Sequence, residues 1–130
     1  MAKNILIVED SAAMRSMIDS ILGETVGEEF LITEAQNGFE ALKLLPRIQF
    51  DLILTDINMP DINGLELLTF LKSNPRYRDI PTLVITTEGK EEDRRRGLAL
   101  GADEYLIKPF TPESLIASIK RLLGKTGPKG

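Results

Sequence analysis

A chain of 130 residues with 42% hydrophobic and 28% charged residues has the make-up of one globular domain with its own core, and a net charge of −4 argues against nucleic acid as its main partner. It carries no cysteine and no histidine, which excludes disulfides, thiolate metal sites, Cys nucleophiles, His-based acid–base catalysis and nearly all zinc chemistry. Any reactive group must therefore be Asp, Glu, Lys, Thr or Ser. The apolar run in MAKNILIVED is too short for a signal peptide and no segment is long enough to span a bilayer, so the expected location is cytoplasmic, without membrane insertion.

The first strand is predicted at 4–8 (NILIV) and runs straight into Glu9-Asp10. Met14, Met17, Ile18, Ile21 and Leu22 then recur at helical spacing. The link GETVGEEF is slightly long, and EFLITEA at 29–35 is a mixed run that suits a strand at a sheet edge. Pro46 closes the second helix. DLILT at 51–55 is a continuous apolar strand, of the kind buried on both faces of a parallel sheet, and it ends at Asp56.

Asn63-Gly64-Leu65-Glu66 reads as an Asn form of the capping box, opening a third helix with Leu65, Leu68 and Leu71 and closed by Pro75. TLVIT at 82–86 ends in Thr86-Thr87. The fourth helix, within KEEDRRRGLALGA, has few apolar anchors and a Gly97 that costs about 1 kcal/mol relative to Ala, so it can shift cheaply. Its Arg94-Arg95-Arg96 run is a basic spot, either a contact surface or a solvated charged face. EYLI at 104–107 is the fifth strand and leads into Lys108-Pro109; Thr111 caps a last helix with Pro112 in its first position and Leu115, Ile116, Ile119, Leu122 and Leu123 on one face. The domain is expected to fill residues 1–124, with 125–130 a disordered tail.

Alternation of strand and helix gives an α/β class with a doubly wound parallel sheet and right-handed crossovers. In such a sheet ligands bind along the edge formed by the strands' C-terminal ends. Here those ends carry Glu9-Asp10, Asp56, Thr86-Thr87 and Lys108. Each alone reads as a turn former, a cap or a surface side chain. Together they are three acids, hydroxyls and a lysine in one crevice. Two carboxylates about 5 Å apart repel by roughly 3 kcal/mol at an effective dielectric of 20. A cation would relieve this, and oxygen-only ligands favour Mg²⁺, with Mn²⁺ or Ca²⁺ as substitutes. Mg²⁺ on carboxylates binds phosphoryl groups, and Asp is a phosphoryl-accepting nucleophile, so the set points to phosphoryl transfer onto a carboxylate.

ILIVEDSAAMRSM, DLILTDINMPDINGLELL, TLVITTEG and GADEYLIKPFT, in this order through residues 4 to 123, resemble the receiver domain of two-component response regulators. Within that family the chain resembles the single-domain chemotaxis type, CheY. The resemblance implies a flavodoxin-like (βα)5 fold with strand order 2-1-3-4-5 and a monomer. It implies that Asp56 accepts a phosphoryl group from a phosphohistidine on a CheA-like sensor histidine kinase. Mg²⁺ would be held by the side chains of Asp10 and Asp56, the Asn58 carbonyl and, through a water, Glu9. Lys108 would pair with phosphoryl oxygens beside a cis Lys108-Pro109 bond; Thr86 and Tyr105 would act as the switch; Gly64 would fit the turn after the acceptor loop. Asn58 and Glu88 would set a short phosphoryl lifetime, and Thr87, larger than its CheY counterpart, would narrow access for small donors. Such a protein catalyses only its own phosphorylation and dephosphorylation. With no DNA-binding domain in the sequence, the implied output is protein contact through the fourth helix, fifth strand and fifth helix. The expected partner is a flagellar motor switch component or a phosphatase, or else a phosphorelay or stand-alone role in another pathway.

Three other readings have recognisable requirements. A flavodoxin-type module needs a Ser/Thr/Gly-rich phosphate loop after strand one, where this chain has Glu9-Asp10. A haloacid-dehalogenase-type phosphatase resembles this fold but places its nucleophile at the end of strand one with a second acid two residues on, and Glu9-Asp10-Ser11-Ala12 does not fit. A non-phosphorylated interaction module of the receiver type would lack part of the acid–lysine set, all of which is present.

Overall fold

The computed structural model describes residues 2–25, 29–59, 61–87 and 91–125. Five strands alternate with five helices: β1 Lys3–Val8, α1 Ala12–Gly23, β2 Phe30–Ala35, α2 Gly38–Leu44, β3 Leu52–Asp56, α3 Gly64–Ser73, β4 Thr82–Thr87, α4 Glu91–Ala99, β5 Glu104–Lys108 and α5 Pro112–Lys125. The strands form one parallel sheet in the order β2-β1-β3-β4-β5, as the resemblance implies. Helix α5 extends through Lys125, one residue into the stretch expected to be tail, while 126–130 and the 26–28 part of the long link lie outside the described residues.

Burial explains which strands the sequence announces. In β3 every residue is buried, and β1 and β4 are buried over most of their length. Apolar side chains must therefore face both ways, and the run is continuous rather than alternating. The mixed strand β2 is an edge, as expected from its sequence. Strand β5 is the opposite edge, as the order 2-1-3-4-5 implies, and all five of its residues are only half-buried. One face of the sheet packs on α1 and α5 through Ile18, Leu22, Leu115, Ile119 and Leu122. The other packs on α2 and α3 through Ala41, Leu67 and Leu71. Met17, counted with the apolar stripe of α1, is 40% exposed and lies outside the core, where Ile18 and Leu22 are buried with Met14 and Ile21 packed beside them.

Helix starts are fixed locally. Asn63 and Glu66 form the reciprocal capping box, at 2.9 and 3.1 Å. Thr111 and Ser114 do the same for α5, where Pro112 holds the first position. Ser11 caps α1 and Asn37 caps α2. Helix α4 is held least: Gly97 is its one buried residue, and Leu98 is 42% exposed. Its basic run is largely matched within the helix. Arg94 pairs with Glu91 at 3.4 Å and Arg95 approaches Glu92 at 4.0 Å.

Two contacts generate predictions. A Cβ on Gly64 would lie 2.1 Å from the Asp56 carbonyl oxygen and 2.7 Å from Ile57 Cα, so α3 can start this close to the end of β3 only with glycine there. Gly64→Ala should lose about 2 kcal/mol or more in urea denaturation, because the obstacle is backbone and cannot swing aside. On α1, burial and then the neighbouring Glu34 carboxylate push the Asp19 carboxyl up to about 6, while the proton it shares and Arg15 hold Glu34 below its ordinary value. Folded Asp19 keeps its proton to a higher pH than unfolded Asp19, so its contribution turns unfavourable as pH rises from about 4 through 6. Asp19→Asn should therefore melt higher than wild type at pH 7.5, with the difference closing at pH 4. The gain is a fraction of a kcal/mol, since the side chain is partly solvated and Glu34 offsets part of it.

Candidate acidic phosphoryl site

The register sets the site. Val8 pairs with Thr55, Asp56 with Ile85, Thr86 with Ile107 and Thr87 with Lys108, so residues from four strands end at one level. Glu9 and Asp56 are buried and Asp10 is exposed, and each offers a carboxylate oxygen within 4.8 Å of the other two. Lys108 Nζ donates to Glu9 Oε1 at 3.0 Å and to Asp56 Oδ2 at 3.2 Å, and the Lys108-Pro109 bond is cis. Asp56 Oδ1 also accepts the Asn58 N–H at 3.3 Å, and Glu9 Oε2 accepts the Ser11 N–H at 3.1 Å.

Charge is unbalanced here. Three acids face one lysine. Burial raises Glu9 above the usual carboxylate range, and the neighbouring acids Asp10 and Asp56 add to this. The bonds from Ser11 and Lys108 only partly offset the rise. Burial on its own would lower the Lys108 ammonium, but Glu9 and Asp56 outweigh it and hold the group above its ordinary value, so it stays charged. Among the described residues the site has one positive charge against three acids, and its possible metal ligands are all oxygens, which suits a hard divalent ion.

Thr86 stands beside the acids with its hydroxyl buried and without a hydrogen-bond partner among the described residues. Tyr105 lies half-buried on β5, with the Arg94 guanidinium 4.3 Å above its ring. Asn58 and Thr87 are exposed at the mouth. Glu88 lies outside the described residues. A cleft of about 400 Å³ lined by Leu45, Phe50, Arg76, Tyr77 and Ile80 sits at the other end of the sheet.

Several linking groups carry no sequence signal. Lys72 Nζ reaches the carbonyls of Arg78 and Ile80 and the Asp103 carboxylate (2.9 Å), and Asp103 also accepts the Thr82 N–H, tying α3 to the start of β4. Arg15 donates to the Glu9 carbonyl and to Glu34. Both act on backbone or on residues far along the chain, where spacing says nothing.

The fold and this cluster define a doubly wound α/β protein with an acid–lysine site at its strand ends. The model of the response regulator receiver domain matches residues 5–120, and the chain belongs to that family. It is 41% identical over 128 residues to the phosphate regulon transcriptional regulatory protein PhoB of Klebsiella pneumoniae, covering 98% of this chain and 55% of the relative, so it spans about half the length of that protein. It is 35% identical over 127 residues to a chemotaxis protein CheY homolog of Campylobacter jejuni, covering 97% of this chain and 96% of the relative. Among solved structures, the signal receiver domain of a histidine kinase from Syntrophus aciditrophicus superposes with a TM-score of 0.89 at 34% identity, covering 98% of this chain and 95% of that one. The chemotaxis response regulator CheY4 of Vibrio cholerae superposes at 0.83 and 34% identity, covering 94% and 99%. No described helix is long and apolar enough to cross a membrane.

Millimolar Mg²⁺ should stabilise the protein, by about 1.4 kcal/mol at ten times its dissociation constant. In EDTA, Asp56→Asn should be more stable than wild type because one of three crowded carboxylates is gone, and it should gain little from Mg²⁺. Thermal melts of both proteins with and without the ion check this.

Proposed function

We propose that the chain is a phosphorylation-controlled receiver in which Asp56 is the phosphoacceptor. The observation that carries this is Asp56 itself: a buried carboxylate at the end of a fully buried strand, gripped by Lys108 and flanked by Glu9 and Asp10. An Asp56 oxygen attacks the phosphorus of a phosphohistidine on a sensor histidine kinase, the P–N bond breaks, and an acyl phosphate forms. Lys108 stays protonated and faces the charge that develops on the phosphoryl oxygens. Asp10 and Asp56 would hold Mg²⁺ through their side chains, Asn58 through its carbonyl and Glu9 through a water, and the bound ion would supply further positive charge at the same oxygens. Asn58, two residues after the acceptor, and Glu88, two residues after Thr86, would set how easily water reaches the acyl phosphate, which the protein itself hydrolyses.

The Thr86 hydroxyl, without a partner among the described residues, supports its role as a switch, because a phosphoryl oxygen would give it an acceptor. Tyr105 follows, entering the space Thr86 leaves and so reshaping the α4–β5–α5 face where the output protein binds. A chemotaxis role, with a CheA-like kinase and a motor switch component or phosphatase as partners, is supported by the match through 96% of the Campylobacter CheY homolog. The higher identity to PhoB favours a second reading, a receiver serving a non-chemotaxis pathway by relay or by gene control.

Incubation with Mg²⁺ and acetyl phosphate, followed by intact mass, should add one phosphoryl group to wild type and none to Asp56→Asn or to wild type in EDTA. Equal labelling of the Asn variant would move the acceptor elsewhere.

A further inference from the structure

The sequence gives Arg15 no task, and its position on α1 is unfavourable. It lies in the opening turns of a helix, where the dipole favours anions. Yet its side chain is only 15% exposed, so it is not a solvated surface cation. One terminal nitrogen donates to the Glu9 carbonyl at 2.6 Å, and Nε donates to Glu34 Oε1 on β2 at 3.0 Å.

The other groups of Glu9 are held as well. Its N–H donates to the Ala35 carbonyl at 3.0 Å, and its carboxylate accepts from Ser11 and Lys108. The Glu9 carbonyl belongs to the planar peptide that leads into Asp10. Orienting that oxygen therefore orients the Asp10 Cα, and with it the one exposed acid of the cluster. We propose that Arg15 is a positioning residue of the acidic site: by forking between the Glu9 carbonyl and Glu34 it fixes the peptide from which Asp10 projects, and so sets the affinity for a divalent cation. This rests on the reading of the cluster as a Mg²⁺ site.

The sign of the effect separates positioning from charge. Arg15 is a cation near a cation site, so by Coulomb repulsion alone its removal would tighten Mg²⁺ binding. Loss of positioning weakens it, by about tenfold if Arg15 behaves like other groups that orient metal ligands. Arg15→Met keeps the apolar stem and removes the fork. Arg15→Lys keeps the charge but offers a point donor in place of a planar pair.

Isothermal titration with Mg²⁺ should give a dissociation constant about tenfold above wild type for Arg15→Met, and a smaller rise for Arg15→Lys. The Mg²⁺ concentration that half-saturates phosphorylation by acetyl phosphate should rise in parallel, with the wild-type rate recovered at saturating Mg²⁺. Unchanged or tighter Mg²⁺ binding in Arg15→Met overturns the proposal and leaves Arg15 a staple between α1 and β2. Should that variant not fold, Arg15→Lys decides by the same criterion. A wild type that neither binds Mg²⁺ nor takes a phosphoryl group overturns the site reading along with the inference; a wild type that does both, matched by Arg15→Met, overturns the inference alone.

Discussion

The ammonium of Lys108 between Glu9 and Asp56 is the contact on which the site depends. Lys108 ends the edge strand β5, Asp56 ends β3 and Glu9 follows β1, so the side chain must lean past the end of β4 to reach strands spaced about 4.8 Å apart. That reach is possible only if the strands stop at the same level, which the register enforces, and if β4 ends in small residues, which Thr86 and Thr87 provide. A buried carboxylate without a cation would take up a proton. With Lys108 held above its ordinary pKa and still charged, the sheet can carry acids at its end.

One lysine against three carboxylates leaves a deficit, and that deficit is the basis of the proposed switching. A divalent ion would offset that deficit, and a phosphoryl group on Asp56 would then bring negative charge back into the same few ångströms. The buried Thr86 hydroxyl, without a partner among the described residues, adds a second imbalance, since a buried polar group left unsatisfied costs about 1–3 kcal/mol. Nearby, the Arg94 guanidinium stacked on Tyr105 links that region to α4. Helix α4 buries only Gly97 and carries its ion pairs on its own surface, so little packing opposes its displacement. On the proposed reading, a change of hydrogen bonding at Thr86 is felt first by the element least able to resist it.

Much of this was legible in the residues because the physics is local. The runs NILIV, LILT and TLVIT are continuous because their strands are covered on both faces. Asn63–Glu66 and Thr111–Pro112 mark helix starts because the donors they satisfy lie within three residues. The acids and Lys108 stand at strand ends, where the class of fold says to look. What stayed hidden acts across the chain. Lys72 caps carbonyls six and eight residues on and reaches Asp103. Gly64 reads as part of a cap, but its necessity comes from the Asp56 carbonyl, which occupies the space a Cβ would need. Strand β5 sits at the edge that the order 2-1-3-4-5 implies, and it carries an apolar run because α4 and α5 lie against it. Met17 misleads because helical spacing defines a stripe without saying how wide its contact is.

Arg15 and Lys108 show why the two kinds of cation are not interchangeable around one site. Lys108 faces the carboxylates. A compact ammonium on a flexible stem can turn its donors from Glu9 and Asp56 toward new oxygens without rebuilding its surroundings. Arg15 faces the backbone. Its planar fork spans a carbonyl and a carboxylate on neighbouring strands, and it offers the site little besides geometry. A lysine at 15 would hold one acceptor and leave the peptide free to rock; an arginine at 108 would need a fixed pair of oxygens on a plane, which a transferring phosphoryl group does not keep. On the proposed reading, the charge that moves with the chemistry and the charge that holds the ligands still are carried by different side chains, Lys108 on the carboxylates and Arg15 on the Glu9 carbonyl.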